Sequence, residues 1–307
     1  MPHCCETLFR KSAFAIIIVA AWGIFAAEAG DWHQPSQITC SDCHIMHYSE
    51  DGMRPIDAES GGPFPRLLLA STTNNLCLTC HDGTDTDAPD VIGSLTYETA
   101  AGYFANSGGV ASDNAHNLGM ASGEVPPGSP VSADGLILSC ASCHNPHGNS
   151  NYRNLLLNPA GSDNSSDVDV IVSPTKTADG PAPGGYTPAQ VYIPTNVIYK
   201  SGMSDWCNDC HPNFHGDTET GYPEPWFRHP QDATINGSDY ADYTHWWNGT
   251  ISNRIEVESP NDSLVPSIDD QVFCLSCHKA HGSDMKSNLI YADDSRMLST
   301  CQQCHNQ

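Results

Sequence analysis

Basic residues are scarce in this chain. Lys and Arg number 12 against 36 Asp and Glu, for a formal net charge of −24. A surface of that sign repels polyanions, which excludes nucleic-acid binding through a basic patch. Apolar residues are also thin, at 39%, while Gly and Pro number 25 and 22. That balance argues against an enzyme built around a large aliphatic core and favours a loop-rich exported chain. Only Phe14 to Phe25 forms a long apolar run. At about 12 residues against the roughly 20 needed, it is too short to span a bilayer. Arg10 and Lys11 precede it and Ala27-Glu28-Ala29 follows it, so residues 1–29 are predicted to be a cleaved secretory signal peptide. No Cys follows that run closely, which argues against a lipid anchor. The acidity survives processing, because Arg10 and Lys11 balance Glu6 and Glu28.

What the chain does have is 14 Cys and 15 His. Cys4 and Cys5 lie in the signal segment. Every other Cys falls in a C-x-x-C-H motif: Cys40/Cys43/His44, Cys77/Cys80/His81, Cys140/Cys143/His144, Cys207/Cys210/His211, Cys274/Cys277/His278 and Cys301/Cys304/His305. This is the attachment pattern of c-type haem. Two thiols add across the two vinyl groups of one porphyrin, and the adjacent His becomes the proximal iron ligand. A disulfide framework would not place His after every second Cys. Zinc ribbons need no such His and belong to reducing compartments. Six covalent haems are therefore expected.

Six irons need six further ligands. Outside the motifs and the signal segment stand His33, His47, His116, His147, His215, His229, His245 and His281. These suffice for every iron to be bis-His, with two to spare. Met46 and Met120 are conceivable ligands, but Met raises the potential and suits other electron-transfer work. Bis-His ligation closes an iron to substrate and directs the protein to electron transfer, with no catalytic residue.

The motifs come in pairs. Three units span about 40–81, 140–211 and 274–305, and each opens with C-x-x-C-H-x-x-H and closes with a plain C-x-x-C-H. Between them recur Arg66-Leu67-Leu68-Leu69, Arg153-Asn154-Leu155-Leu156-Leu157 and Asn288-Leu289-Ile290. Shared landmarks in shared order indicate an internal repeat. In the openings, His44 and His47, His144 and His147, and His278 and His281 are three residues apart. On a helical turn such side chains are neighbours, so the second His can hardly reach the far side of its own neighbour's iron. It should ligate another haem held close by. The expected fold is a single domain over 30–307, mostly irregular, with short helices and few strands. Short strands are expected near Val168–Val172 and Val191–Tyr199, and loops over 82–135 and 158–200. A chain of haems would serve as the core, with Leu67–Leu69, Leu155–Leu157, Trp206, Trp226 and Phe227 packed against it. The Asp-rich stretches 82–90 and 162–169 offer carboxylates to Ca²⁺ but lack the twelve-residue EF-hand pattern.

The motifs and both ends of the mature chain resemble the hexahaem outer-surface c-type cytochromes that metal-reducing bacteria polymerise into filaments. The matching runs are His33 with Cys40-Ser-Asp-Cys43-His44-Ile-Met-His47, Asp205-Trp206-Cys207 through Cys210-His211-Pro-Asn-Phe214-His215, Trp226-Phe227-Arg228-His229-Pro230, and Cys274-Leu-Ser-Cys277-His278-Lys-Ala-His281-Gly282. The resemblance implies an extracellular polymer whose haems run in a continuous line, with His47 ligating a haem of the neighbouring copy. Among the distal ligands His47, His147 and His281 rank first by spacing, and His116 and His229 follow by context. One place lies open between His33 and His215, and His245 ranks last.

Three functions are compatible with these residues. The first is a filament subunit passing electrons to other redox proteins or extracellular acceptors. The second is a monomeric periplasmic or outer-surface shuttle. The third is a multihaem reductase, which would need an iron with an open position. The absence of any C-x-x-C-K variant and the surplus of His weigh against the third.

Overall fold

The computed structural model describes residues 33, 38–55, 58–85, 88–93, 101–104, 112, 114–120, 125–127, 136–149, 151–159, 169–172, 197–212, 214, 231, 233–235, 257–260, 269–283 and 285–289. The expected signal peptide, the Cys301–His305 motif, Trp226, Phe227, His215, His229 and His245 lie outside them.

Regular structure is sparse and short. The opening motif of each unit forms a single 3₁₀ turn, at Cys40–Asp42, Cys140–Ser142 and Cys274–Ser276. One device closes all three. The side chain just before the second Cys reaches back to the backbone N–H before the first: Asp42 accepts from Thr39 at 2.7 Å, Ser142 from Ser139 at 3.0 Å and Ser276 from Phe273 at 3.2 Å. The two described closing motifs begin on helices instead. Helix α1 (Thr73–His81) carries Cys77 and Cys80 and is capped by the Thr72 hydroxyl, which accepts from the Asn75 N–H at 3.0 Å. Helix α2 (Met203–Asn208) carries Cys207.

Strand β1 (Asp169–Val172) pairs antiparallel with β2 (Val197–Ser201), with Val170 opposite Tyr199 and Val172 opposite Val197. The first strand falls where the sequence places it. The second occupies the end of the expected run and continues to Ser201, while 191–196 lie outside the described residues. Two-residue strands β3 (Ala233–Thr234) and β4 (Gln271–Val272) also pair. Glu258 bridges Tyr199 on one side and Gln271 on the other. Its carboxylate accepts from the Met203 N–H at 3.1 Å, which fixes the start of α2.

The apolar cluster is small: Leu155, Tyr199, Met203, Phe273 and Leu275, with Tyr152, Trp206 and Ala280 against it. Trp206 donates its indole N–H to the Leu156 carbonyl at 2.7 Å. Of the leucine runs only part is buried. Leu69 and Leu155 are covered, whereas Leu67 and Leu157 are nearly half exposed. Asp82 and Asp90 accept from the backbone N–H groups of Thr84 and Ile92, each at 2.9 Å, closing turns of their own loop.

Two extended segments grip the C-terminal unit. His281 N–H donates to the Ala101 carbonyl at 2.7 Å, Tyr103 N–H to Gly282 at 3.1 Å and His116 N–H to His281 at 2.9 Å. Gly282 thus lies between 101–104 and 114–118. The approach is too close for a side chain: a Cβ on Gly102 would overlap the Gly282 carbonyl oxygen, and Gly102 has φ +78°. A Gly102→Ala variant should lose about 1–3 kcal/mol through backbone strain and overlap, measured as a lower Tm of the loaded protein. An unchanged Tm would show that the clasp does not form.

Candidate haem-binding sites

A histidine binds iron through one ring nitrogen, and the other needs a partner that fixes the tautomer and ring orientation. All five described motif histidines have one. Nδ1 of His44 lies 2.9 Å from the Arg66 carbonyl oxygen, that of His81 3.0 Å from Pro89, and that of His144 2.9 Å from Arg153. Nδ1 of His211 lies 2.9 Å from Pro127 and that of His278 2.7 Å from Ser287. A carbonyl oxygen only accepts, so each Nδ1 carries the proton and donates. Each Nε2 is left with its lone pair, which is the form that ligates a metal.

The opening motifs obtain that carbonyl in one recurring way. Arg66 and Leu67 have φ of 59° and 60°, Arg153 and Asn154 51° and 57°, and Ser287 and Asn288 both 59°. A non-glycine residue in the left-handed region costs of order 1 kcal/mol. Two in succession, at the same place in three repeats, turn the backbone so that the first carbonyl faces the imidazole. The next residue then pairs with the histidine's own backbone, in the bridges His44–Leu68, His144–Leu155 and His278–Leu289. The repeated Leu landmarks mark this clip in the sequence. The carbonyls of Arg66, Arg153, Ser287, Pro89 and Pro127 could not be found there, because a backbone acceptor leaves no residue-type signal.

Four motif histidines face a second imidazole. Ring centroids are 6.2 Å apart for His44 and His147, 6.1 Å for His81 and His33, 6.3 Å for His144 and His281, and 6.1 Å for His211 and His116. An imidazole nitrogen sits about 2 Å from a metal it ligates and about 1.1 Å from its ring centre, so two rings trans on one iron stand about 6 Å apart. The observed spacings have that value, and the residues present fit six-coordinate haem. The second His of an opening motif pairs with the first His of a different motif, as His147 with His44 and His281 with His144. His33, left level with His215 by sequence, stands against His81. His47 and His278 are exposed, and neither faces another imidazole among the described residues.

Ligand electrostatics favour the neutral ring. Burial lowers His81 and His144 below the usual imidazole value, and burial followed by the nearby His144 takes His281 down to about 3. On the distal side, His116 Nδ1 donates to the Ala280 carbonyl at 2.6 Å, and His33 Nδ1 lies 3.4 Å from that of Pro146. His281 differs: its Nδ1 is sealed from solvent and finds no partner in good hydrogen-bond geometry, the Gly102 backbone making only a weak contact, and its ring stacks on Phe104 at 4.4 Å.

None of the ten described attachment cysteines is in a disulfide. Their neighbours follow the chain order of the motifs. Cys43 lies within electrostatic range of Cys80, Cys77 hydrogen-bonds Cys140, Cys143 lies within range of Cys210, and Cys207 hydrogen-bonds Cys274. Burial pushes the Cys143 thiol up to about 12. Asn74 on α1 accepts from the Cys140 N–H at 2.9 Å, tying the first unit to the second. Among the described residues no group of three or more His, Cys, Asp or Glu could hold a free metal ion, and no helix is long and apolar enough to cross a membrane.

Residues 33–86 and 266–307 match the family model described as the doubled CXXCH motif. The chain is 26% identical to the C-type cytochrome OmcS of Geobacter sulfurreducens, over 90% of this chain and 84% of that protein. Two solved structures also align with it over most of its length. The cryo-EM structure of the OmcS nanowires from that organism gives a TM-score of 0.48 at 20% identity, over 82% of this chain and 83% of the other. The Geobacter outer membrane cytochrome S filament gives 0.47 at 19% identity, over 81% and 82%.

The depressed histidines fix a sign for acid stability. Their protons are refused in the fold but accepted by the unfolded chain from about pH 6.5 downwards. Stability should therefore fall as pH drops through that value, and His281 continues the loss to about pH 3. Iron ligation would withhold the same protons, so the urea midpoint of the loaded protein should decline between pH 7 and pH 5. A midpoint that holds or rises over that range would contradict the neutral-ring arrangement.

Proposed function

We propose that this multihaem c-type cytochrome, built on the doubled CXXCH motif, binds six covalent haems and forms the repeating unit of an extracellular electron-conducting filament. The observation that carries this reading is the set of four imidazole pairs at bis-ligand spacing, beside an exposed His47 and an exposed His278 that lack such pairing among the described residues. Haem, when bound, supplies reversible one-electron chemistry at an iron that keeps both imidazoles.

The chain's residues hold, orient and connect the sites. Cys40 and Cys43 anchor the first group between His44 and His147, and Cys77 and Cys80 the second between His81 and His33. Cys140 and Cys143 anchor the third between His144 and His281. Cys207 and Cys210 anchor the fourth between His211 and His116. Cys274, Cys277 and His278 hold the fifth, and Cys301, Cys304 and His305 the sixth. Rigid carbonyl anchors on the imidazoles keep the ligand set fixed in both oxidation states, which keeps reorganisation small. The neighbouring cysteines of successive motifs support a line of sites that follows chain order. His47 of one copy then completes the His278 site of the next, and His215, His229 and His245 remain candidates for the sixth site. The relative OmcS is described as forming nanowires and as an outer membrane cytochrome filament, which supports self-assembly and an exported location.

His47→Ala is expected to leave soluble monomers in which one of six haems loses its low-spin bis-imidazole spectrum. Electron microscopy and absorption spectra of sheared material report both effects. A variant that still polymerises with six low-spin haems would overturn the ligand in trans.

A further inference from the structure

The four imidazole pairs are not alike. Interplanar angles are 16° for His44 and His147, 27° for His33 and His81, and 43° for His116 and His211, but 75° for His144 and His281. The same pair contains the one described ligand whose Nδ1 is buried without a hydrogen-bond partner in good geometry. The His281 ring is covered by Phe104, with centroids 4.4 Å apart and planes at 23°. The Gly102 backbone makes only a weak hydrogen-bonding contact with that ring, too poor in geometry to satisfy its Nδ1.

Both features act on the iron in one direction. A ring whose Nδ1–H donates to a carbonyl gains imidazolate character and gives the iron more electron density, which favours the ferric state. His281 makes no such donation in good geometry, whereas His116 makes it at 2.6 Å. The aromatic cover keeps water from Nδ1 and lowers the local polarity, which disfavours the added positive charge of ferric iron. Ring orientation adds to this. Parallel imidazole planes split the two iron dπ orbitals and stabilise the ferric hole, while near-perpendicular planes leave them almost degenerate and remove that stabilisation. Perpendicular planes also leave a mark of their own, a strongly anisotropic low-spin EPR signal with an unusually large g value.

We propose that the site of Cys140, Cys143, His144 and His281 has the highest reduction potential of the four described imidazole pairs, set by the crossed rings and by Phe104 stacked on an unanchored His281. It makes a thermodynamic low point for electrons in the interior of the chain of sites, where an electron rests before leaving towards either end. The inference rests on the ligand pairing of the proposed function, but it adds an order of potentials which that pairing does not dictate.

An EPR-monitored reductive titration of the full haem-loaded protein with dithionite and redox mediators tests it. Each iron takes up one electron and its ferric signal disappears. The expected result is a large-g anisotropic signal that vanishes at higher potential than the rhombic signals of the near-parallel pairs. Two substitutions assign it. Phe104→Gln brings a polar group to the ring and should shift the loss of that signal to lower potential, leaving the rhombic signals in place. Phe104→Leu keeps the apolar cover and should leave the order unchanged. An anisotropic signal lost together with or after the rhombic ones would overturn the inference while leaving the pairing intact. So would equal behaviour of the two variants. Absence of low-spin signals would overturn both. If Phe104→Gln does not load haem, the order of loss in the unsubstituted protein still decides.

Discussion

An imidazole can serve iron with one nitrogen only when the protein has settled what the other one does. The hydrogen bond from Nδ1 to a backbone carbonyl is the constraint around which this fold is arranged. It explains the paired left-handed residues at Arg66 and Leu67, at Arg153 and Asn154, and at Ser287 and Asn288. It explains why loops containing Pro89 and Pro127 are brought against the closing motifs. Regular secondary structure would spend those carbonyls on N–H groups. A chain that must aim many carbonyls at side chains has few left for helices and sheets, and the described structure has few of either.

Packing follows from the same constraint. The apolar cluster around Phe273 and Tyr199 joins α2 to the opening motif of the third unit. The clasp of 101–104 and 114–118 on Gly282 delivers two ligands at once, His116 and His281, to two different motif histidines. Links of this kind between distant segments make the sites mutually dependent. Between copies the acidity opposes association, since subunits of charge −24 repel one another. A ligand bond in trans would have to outweigh that repulsion.

The motif cysteines and their adjacent histidines stand out in the sequence because covalent attachment of haem would dictate residue type and spacing together. The short 3₁₀ turns, the strand near residue 170 and the irregular character of the chain were legible for related local reasons. The partners of the distal histidines were not. His33 meets His81, and His116 meets His211, across long stretches of chain with no periodicity to reveal it. Spacing showed that His147 and His281 must look beyond their own motif, but not where. Phe104 left no signal, since an isolated aromatic in a Gly-rich segment reads as an ordinary packing residue. The exposure of Leu67 likewise goes with a left-handed turn that the leucine run alone does not disclose.

The central claim is that paired imidazoles, drawn from different motifs, organise the molecule. Electron cryo-microscopy of the mature, haem-loaded protein sheared from cells tests it most directly, at a resolution that places irons and rings. The account predicts an iron midway between the rings of each of four pairs: His44 with His147, His81 with His33, His144 with His281 and His211 with His116. Irons ligated by other partners, or motif histidines facing an open coordination position, would contradict it.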